Sequence, residues 1–204
     1  MAASHPKYAQ PDRPILPVMA ERWSPYAYDP RPVERDKLLT CLEALRWAAS
    51  SYNEQPWTYI LAERGDAAAF AQALDCLVEG NQAWAKNAGI IMLSVVSRLF
   101  KKISKPNKAA EHDMGLAAGN FVLQATALGL QAHQMIGIEP DKVRAAYKVP
   151  ENYDPLTAIA LGYPAAVQPG TTDQLAQRDL APRTRKALSE IVVTSWGQAA
   201  ALGT

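Results

Sequence analysis

The sequence predicts a mixed α/β domain, and three observations carry that prediction. Apolar residues recur at helical spacing in some stretches and alternate or run unbroken in others, so helices and strands interleave along the chain. Its 204 residues match one domain, and 49% of them belong to the apolar and aromatic set, enough for a packed core. The longest strongly apolar run, residues 88–96, is interrupted by Ser94 and falls far short of the ~20 residues that span a bilayer.

Pro6, Pro11, Pro14 and Pro17 crowd the start. Each fixes φ and disfavours helix before it, so residues 1–17 read as an extended arm able to cover a partner subunit, and 18–204 as a single domain. From Val33, the spacing of Leu38, Leu42 and Leu45 predicts a helix ending near Ala49. Residues 57–62 alternate in a β-branched, aromatic setting and predict a strand. Alanine-rich 66–78 predicts a helix closed by Gly80 as its left-handed cap, with a short helical stretch at 82–87. Residues 89–96 predict a buried central strand. The longest helix is expected over 109–130, with Gly115, Ala118 and Gly119 as a close-packing face and Gly129 at its end. A strand at 131–135, a helix at 141–147 and a strand at 157–162 complete the order, with no internal repeat.

With 21 Lys+Arg against 20 Asp+Glu, the net charge of +1 gives no general attraction to nucleic acid or an anionic membrane. The N-terminus lacks a basic start followed by an apolar stretch, so a secretory signal is not expected and a cytoplasmic location is. Cys41 and Cys76 each sit in an apolar helical pattern and read as reduced core thiols. His5, His112 and His133 have no companions at metal-ligand spacing. One segment departs from this balance: residues 98–108 hold Arg98, Lys101, Lys102, Lys105 and Lys108 and no acid. Such a run is either a solvated connection or a recognition site for an anion such as the 2′-phosphate of NADPH.

Three motifs carry chemistry. Residues 50–57, Ser-Ser-Tyr-Asn-Glu-Gln-Pro-Trp, put hydroxyls and amides between a helix and a strand, where packing does not demand them. They suit the edge of a planar polar heterocycle, or a turn that caps its own backbone. Arg22-Trp23-Ser24-Pro25-Tyr26 sets a guanidinium and a hydroxyl two residues apart, on one side of an extended segment. Arg183-Thr184-Arg185 repeats the spacing, so the pairs are either solvated surface arginines or, if the termini meet, ligands of one phosphate.

Together and in this order, the three motifs resemble the FMN-dependent nitroreductase family: an RxSx(R/K) phosphate motif, then PSSxNxQPW, then a basic pair after a proline, here Pro182. The resemblance runs from about Arg22 to Val193. It implies a central, mainly antiparallel sheet flanked by helices, in a homodimer. It implies that Arg22, Ser24, Arg183 and Arg185 hold the FMN phosphate, with Trp23 and Tyr26 beside them. Ser50, Ser51, Asn53 and Gln55 would line the ribityl chain and ring, and Asn81 would bond the pyrimidine edge across the subunit boundary. The segment Gln134, Met135, Ile136 and Gly137 would present a backbone N–H to flavin N5, the atom that accepts hydride. His133, beside that loop, is a candidate proton donor, and no side chain is otherwise expected to be catalytic.

The activity so implied is an NAD(P)H-dependent oxidoreductase that passes electrons through FMN to nitroaromatics, quinones or similar flat acceptors by a ping-pong mechanism. Three departures bear on it. Tyr26 stands for a basic residue, Ala49 for a proline, and Trp84 for a lysine near the flavin in several members. Fewer cations near the ring make it harder to reduce, unless Arg46 or the 98–108 lysines replace them, and this favours an alternative: a flavin-storage or sensor protein with little turnover.

Overall fold

A computed structural model describes residues 5–201, so residues 1–4 of the arm and 202–204 of the domain lie outside the described residues. In chain order the elements are α1 (Pro17–Glu21), β1 (Tyr28–Asp29), α2 (Arg35–Arg46), β2 (Trp57–Glu63), α3 (Ala67–Asp75), α4 (Glu79–Ala85), β3 (Ile90–Ser97), α5 (Ala110–Ala127), β4 (Gln131–Met135), α6 (Pro140–Tyr147), β5 (Tyr153–Pro164), α7 (Gln174–Arg178), α8 (Leu188–Ile191), β6 (Val193–Ser195) and β7 (Gln198–Ala199). The expected mixed architecture holds, with an antiparallel sheet flanked by helices.

The sheet runs β2-β3-β5, with β4 on the opposite side of β5 and β1 at the C-terminal end of β5. All eight residues of β3 are buried, because the strand has helices on both faces. Its side chains alternate between two cores. Ile90 and Met92 join Leu38 and Leu45 of α2 and Phe121 of α5, while Ile91 and Leu93 join Phe70 of α3, Trp84 of α4 and Val143 of α6. Gly129 ends the α5 region at φ +76°, as its position predicts. No helix of the described residues is long and apolar enough to cross a membrane. Cys41 and Cys76 are free and buried, and burial pushes the Cys41 thiol up to about 11, which leaves it inert.

Several boundaries differ from expectation. Gly80 caps nothing: α3 stops at Asp75, and Gly80 lies in the first turn of α4, which begins before the expected 82. The reason is tertiary, because Leu77 bridges Ile138 and the Val78 N–H donates to the Gly137 carbonyl at 3.2 Å, which takes 77–78 out of helical geometry. Pro17 starts a helix, which its fixed φ permits at the first helical position. Strand β5 extends well beyond 157–162 at both ends. In the arm, His5 stacks on Trp23 of its own chain with ring centroids 4.5 Å apart.

Candidate functional site

The two chain termini meet at one corner, and a buried carboxylate joins them. Asp179, just after α7, is fully buried and accepts the Tyr26 N–H at 3.0 Å and the Ala27 N–H at 2.9 Å. Burial raises its pKa above the ordinary 3.8, while those N–H groups, Lys7 and His5 pull the other way. The segment 22–27 is thereby pinned to the chain that leads to Arg183.

Three guanidinium groups gather there. Arg22 donates from Nη1 to Ser24 Oγ at 3.2 Å. Its pKa is lowered by burial first and then by Arg183 and Arg185, the signature of cations brought together. Arg183 is turned inward and donates to the backbone carbonyls of Lys7, at 2.6 Å, Ala20 and Arg22. Arg185 is exposed, and among the described residues its Nη1 bonds only the neighbouring Thr184 carbonyl, at 2.6 Å. All three line a cavity of about 660 Å³, with Arg13 and Lys186 adding charge against one acid, Asp12. The corner thus gathers positive charge around one cavity.

A second group lies beyond β4. The Asn81 Nδ2 donates to the Gly137 carbonyl at 2.9 Å, so Asn81, expected to bond a pyrimidine edge across the subunit boundary, here holds the Gly137 loop of its own chain. A Cβ on Gly137 would stand 2.5 Å from Asn81 Nδ2 and 2.8 Å from Val78 Cγ2, so only glycine fits that approach. Ile136 is exposed, whereas the side chains of Met135 and Trp23 are buried and leave only backbone for a ligand; Gln134 faces outward.

Between these groups Trp84 stacks on His133, centroids 4.3 Å apart, with Tyr26 edge-on to both. The His133 Nδ1 lies 2.8 Å from the Pro25 carbonyl, and burial lowers the ring's pKa below 6.5. The neutral ring therefore bonds Pro25 and packs between aromatics. Arg178 places its guanidinium 5.4 Å from the Tyr26 ring centroid, and Nη1 lies 3.3 Å from the Tyr26 hydroxyl. A cation thus adjoins position 26 after all. Arg46 is instead held on α2 by Glu43, 2.9 Å from Nε.

The loop 50–55 sits apart, at the start of β2. Ser50 Oγ accepts the Gln55 N–H at 3.0 Å, Gln55 Nε2 donates to Asn53 Oδ1 at 3.1 Å, and buried Asp113 of α5 accepts the Ser51 N–H at 2.9 Å. The loop does cap itself, yet Tyr52, Asn53 and Gln55 hold φ of 53°, 54° and 51°, a left-handed geometry that costs energy outside glycine. Strain of this kind concentrates at binding sites. β2 and β4 lie at opposite edges of the sheet, three strand spacings or about 14 Å apart, so this loop and the Asn81–Gly137 group belong to different edges.

Sequence patterns missed Asp179, Arg178, Arg13 and Lys186. Nothing in their spacing marks them, because each matters only once the termini have met. The fold and this corner define an α+β protein with a cluster of cations around one cavity and a glycine-dependent backbone loop after β4. A model of the nitroreductase family matches residues 19–163, and the chain belongs to that family. A Methanothermobacter thermautotrophicus protein, provisionally named an NADH dehydrogenase/NAD(P)H nitroreductase, is 28% identical over 78% of this chain and 81% of its own. An uncharacterised 15.4 kDa protein of Mycolicibacterium smegmatis is 36% identical over 42% of this chain, and the match spans 57% of its own length. A crystal structure described as an oxidoreductase containing FMN superposes with a TM-score of 0.84 at 29% identity, covering 98% of this chain and all of that one.

Proposed function

We propose that this protein is an FMN-dependent oxidoreductase that draws hydride from NAD(P)H and passes two electrons to a nitroaromatic, a quinone or a similar flat acceptor. The observation that carries the reading is the corner where Arg22, Arg185, Arg13 and Lys186 converge on one cavity; the similarity to the FMN-containing oxidoreductase adds weight. The residues fit the cofactor: cations for its phosphate, the Ile136–Gly137 backbone for its ring, and a position at Gly137 where a side chain would block approach.

When bound, FMN supplies the chemistry by accepting hydride at N5 and giving up electrons to the second substrate. The chain supplies position. Arg22 and Arg185 neutralise the phosphate, and Arg183 holds α1 and the arm in place around them. Asn81 keeps the Gly137 loop fixed, so the Ile136 N–H is aimed before any ligand arrives. Donor and acceptor occupy one open face in turn, which is the ping-pong order, and the acceptor takes its protons from solvent.

The site is completed by a second copy of the chain. One copy carries the phosphate corner and the Gly137 loop near one edge of its sheet and the 50–55 loop at the other, so the loop's polar groups serve the partner's cofactor. What supports a partner copy is the exposed apolar surface, with Met19 on α1, Leu39 on α2, Trp47 at its end and Leu116 on α5, and a tail exposed from Thr184 to Ala199.

An absorption spectrum of the purified protein with FMN added tests the reading, and a colourless protein after gel filtration would overturn it. Steady-state NADPH oxidation with and without menadione then separates an enzyme from a store or sensor: a yellow protein that oxidises no NAD(P)H would be the latter.

A further inference from the structure

The basic segment 98–108 is not a slack connection. It forms a tight hairpin in which Leu99 bridges Pro106, the Phe100 N–H donates to the Lys105 carbonyl at 2.8 Å, and the Asn107 N–H donates to the Arg98 carbonyl at 2.8 Å. Arg98 is consumed at its base by Glu111, at 2.6 Å, and by Asp154. Lys101, Lys102, Lys105 and Lys108 are exposed, and none makes an ion pair among the described residues. These four ammonium groups thus have no ion-pair partner among the described residues and are open to an external anion.

The hairpin is also fastened to the 50–55 loop. The Lys101 backbone N–H donates to Glu54 Oε1 at 2.9 Å, and the Phe100 ring meets Tyr52 edge-on with centroids 5.8 Å apart. Of the five non-glycine residues at positive φ among the described residues, four lie in these two segments: Tyr52, Asn53, Gln55 and Ser104. A strained polar loop and a lysine hairpin thus form one unit at one rim.

We propose that this hairpin binds the 2′-phosphate of NADPH and so makes NADPH the preferred donor over NADH. The inference rests on the flavin reading above, in which the 50–55 loop lines the ring. The hairpin stands on the 50–55 loop, and in that reading a dinucleotide whose nicotinamide lies over the ring would carry its adenosine end past this rim. The 2′-phosphate is the one group that distinguishes the two donors. It adds nearly two negative charges, and lysine binds phosphate as a point charge without needing a planar fork.

The test uses the full-length FMN-loaded protein and a Lys101→Gln/Lys102→Gln/Lys105→Gln variant, with anaerobic stopped-flow reduction by each donor. Loss of several charge-assisted contacts is expected to raise the half-saturating NADPH concentration by about tenfold or more. The NADH value should move less than about twofold, the limiting reduction rate should stay the same, and arginine at the three positions should restore NADPH binding. Four results overturn the proposal. Equal changes for NADPH and NADH would show general electrostatic steering. An effect confined to reoxidation by a negatively charged quinone would assign the hairpin to the acceptor. No change at all would make it a solvated connection. Failure of both donors to reduce the bound flavin of the wild type would remove the flavin reading and this proposal with it.

Discussion

Arg183 and Arg185, two positions apart, have opposite relations to their own chain. Arg183 satisfies three backbone carbonyls at the end of α1 and in the arm, so its loss strands acceptors that folding has partly buried. Arg185 has no such duty and is free to meet a phosphate. Hydrogen bonds to charged groups contribute about 1.5–3 kcal/mol, so Arg185→Ala should weaken FMN roughly tenfold or more while thermal stability holds. Arg183→Ala should lower the melting temperature of the cofactor-free protein, measurable by calorimetry. A cofactor-free melting temperature that falls equally in both variants would mean the division is wrong. His133 gives the acid side of the stability profile. Burial lowers its pKa in the fold below the 6.5 of the unfolded chain, so its contribution is complete above about pH 6.5 and is lost as pH falls through the folded value. His5 is shifted the same way, again chiefly by burial. His133→Phe keeps the stack against Trp84 and should flatten the fall in melting temperature between about pH 7 and 5, leaving the slope due to His5. An unchanged slope would mean that His133 does not titrate differently on folding.

At the scale of elements, the joint between α4 and the loop after β4 decides how the Ile136–Gly137 backbone is presented. Alanine at 137 would collide with Asn81 Nδ2 and with the stiff β-branched Val78, so Gly137→Ala should cost about 1–3 kcal/mol of stability by overpacking. Removing the obstacle with Asn81→Ala should relieve part of that cost, so the double variant is expected to be more stable than the sum of the single changes allows, by denaturant unfolding. Strict additivity would show that the contact carries no strain. This joint also shows why some of the fold was legible in the sequence and some was not. Helix α2, strand β3 and Gly129 could be read because local periodicity and a cap position determine them. The break at 77–78 could not, since it comes from pairing with Ile138, some sixty residues further on. The motif arginines of the site were legible as a set, but not their division of labour: which guanidinium faces inward depends on where the carbonyls of α1 end up. Asp179 was invisible for the same reason, being a lone acid until the fold buries it under Tyr26 and Ala27.

At the scale of the whole molecule, one copy leaves too much undone. Its tail holds α8 and the β6–β7 hairpin in the open, with Leu188, Ile191, Val193 and Trp196 exposed, the last completely. A lone two-stranded hairpin is marginal in water, so this one needs a surface to lie on. A shallow depression of about 580 Å³ on α2 and α5, lined by Leu39, Ala44 and Trp47 together with Thr40, Glu43 and Gln124, offers a partly apolar seat on a second copy. If tails are exchanged in this way, truncation after Ala187 should convert a dimer into a monomer in sedimentation at micromolar concentration. It should also abolish FMN retention, although Arg22, Arg183, Arg185 and Lys186 all remain, because the 50–55 loop of the partner is no longer delivered to the ring. The second effect is the discriminating one. A tail that merely covers its own chain would, on removal, lower stability and leave the dimer intact; a tail irrelevant to assembly would leave both dimer and flavin. A truncated monomer that still carries FMN would show that one chain suffices for the site, and the assignment of the 50–55 loop to the partner's cofactor would be wrong.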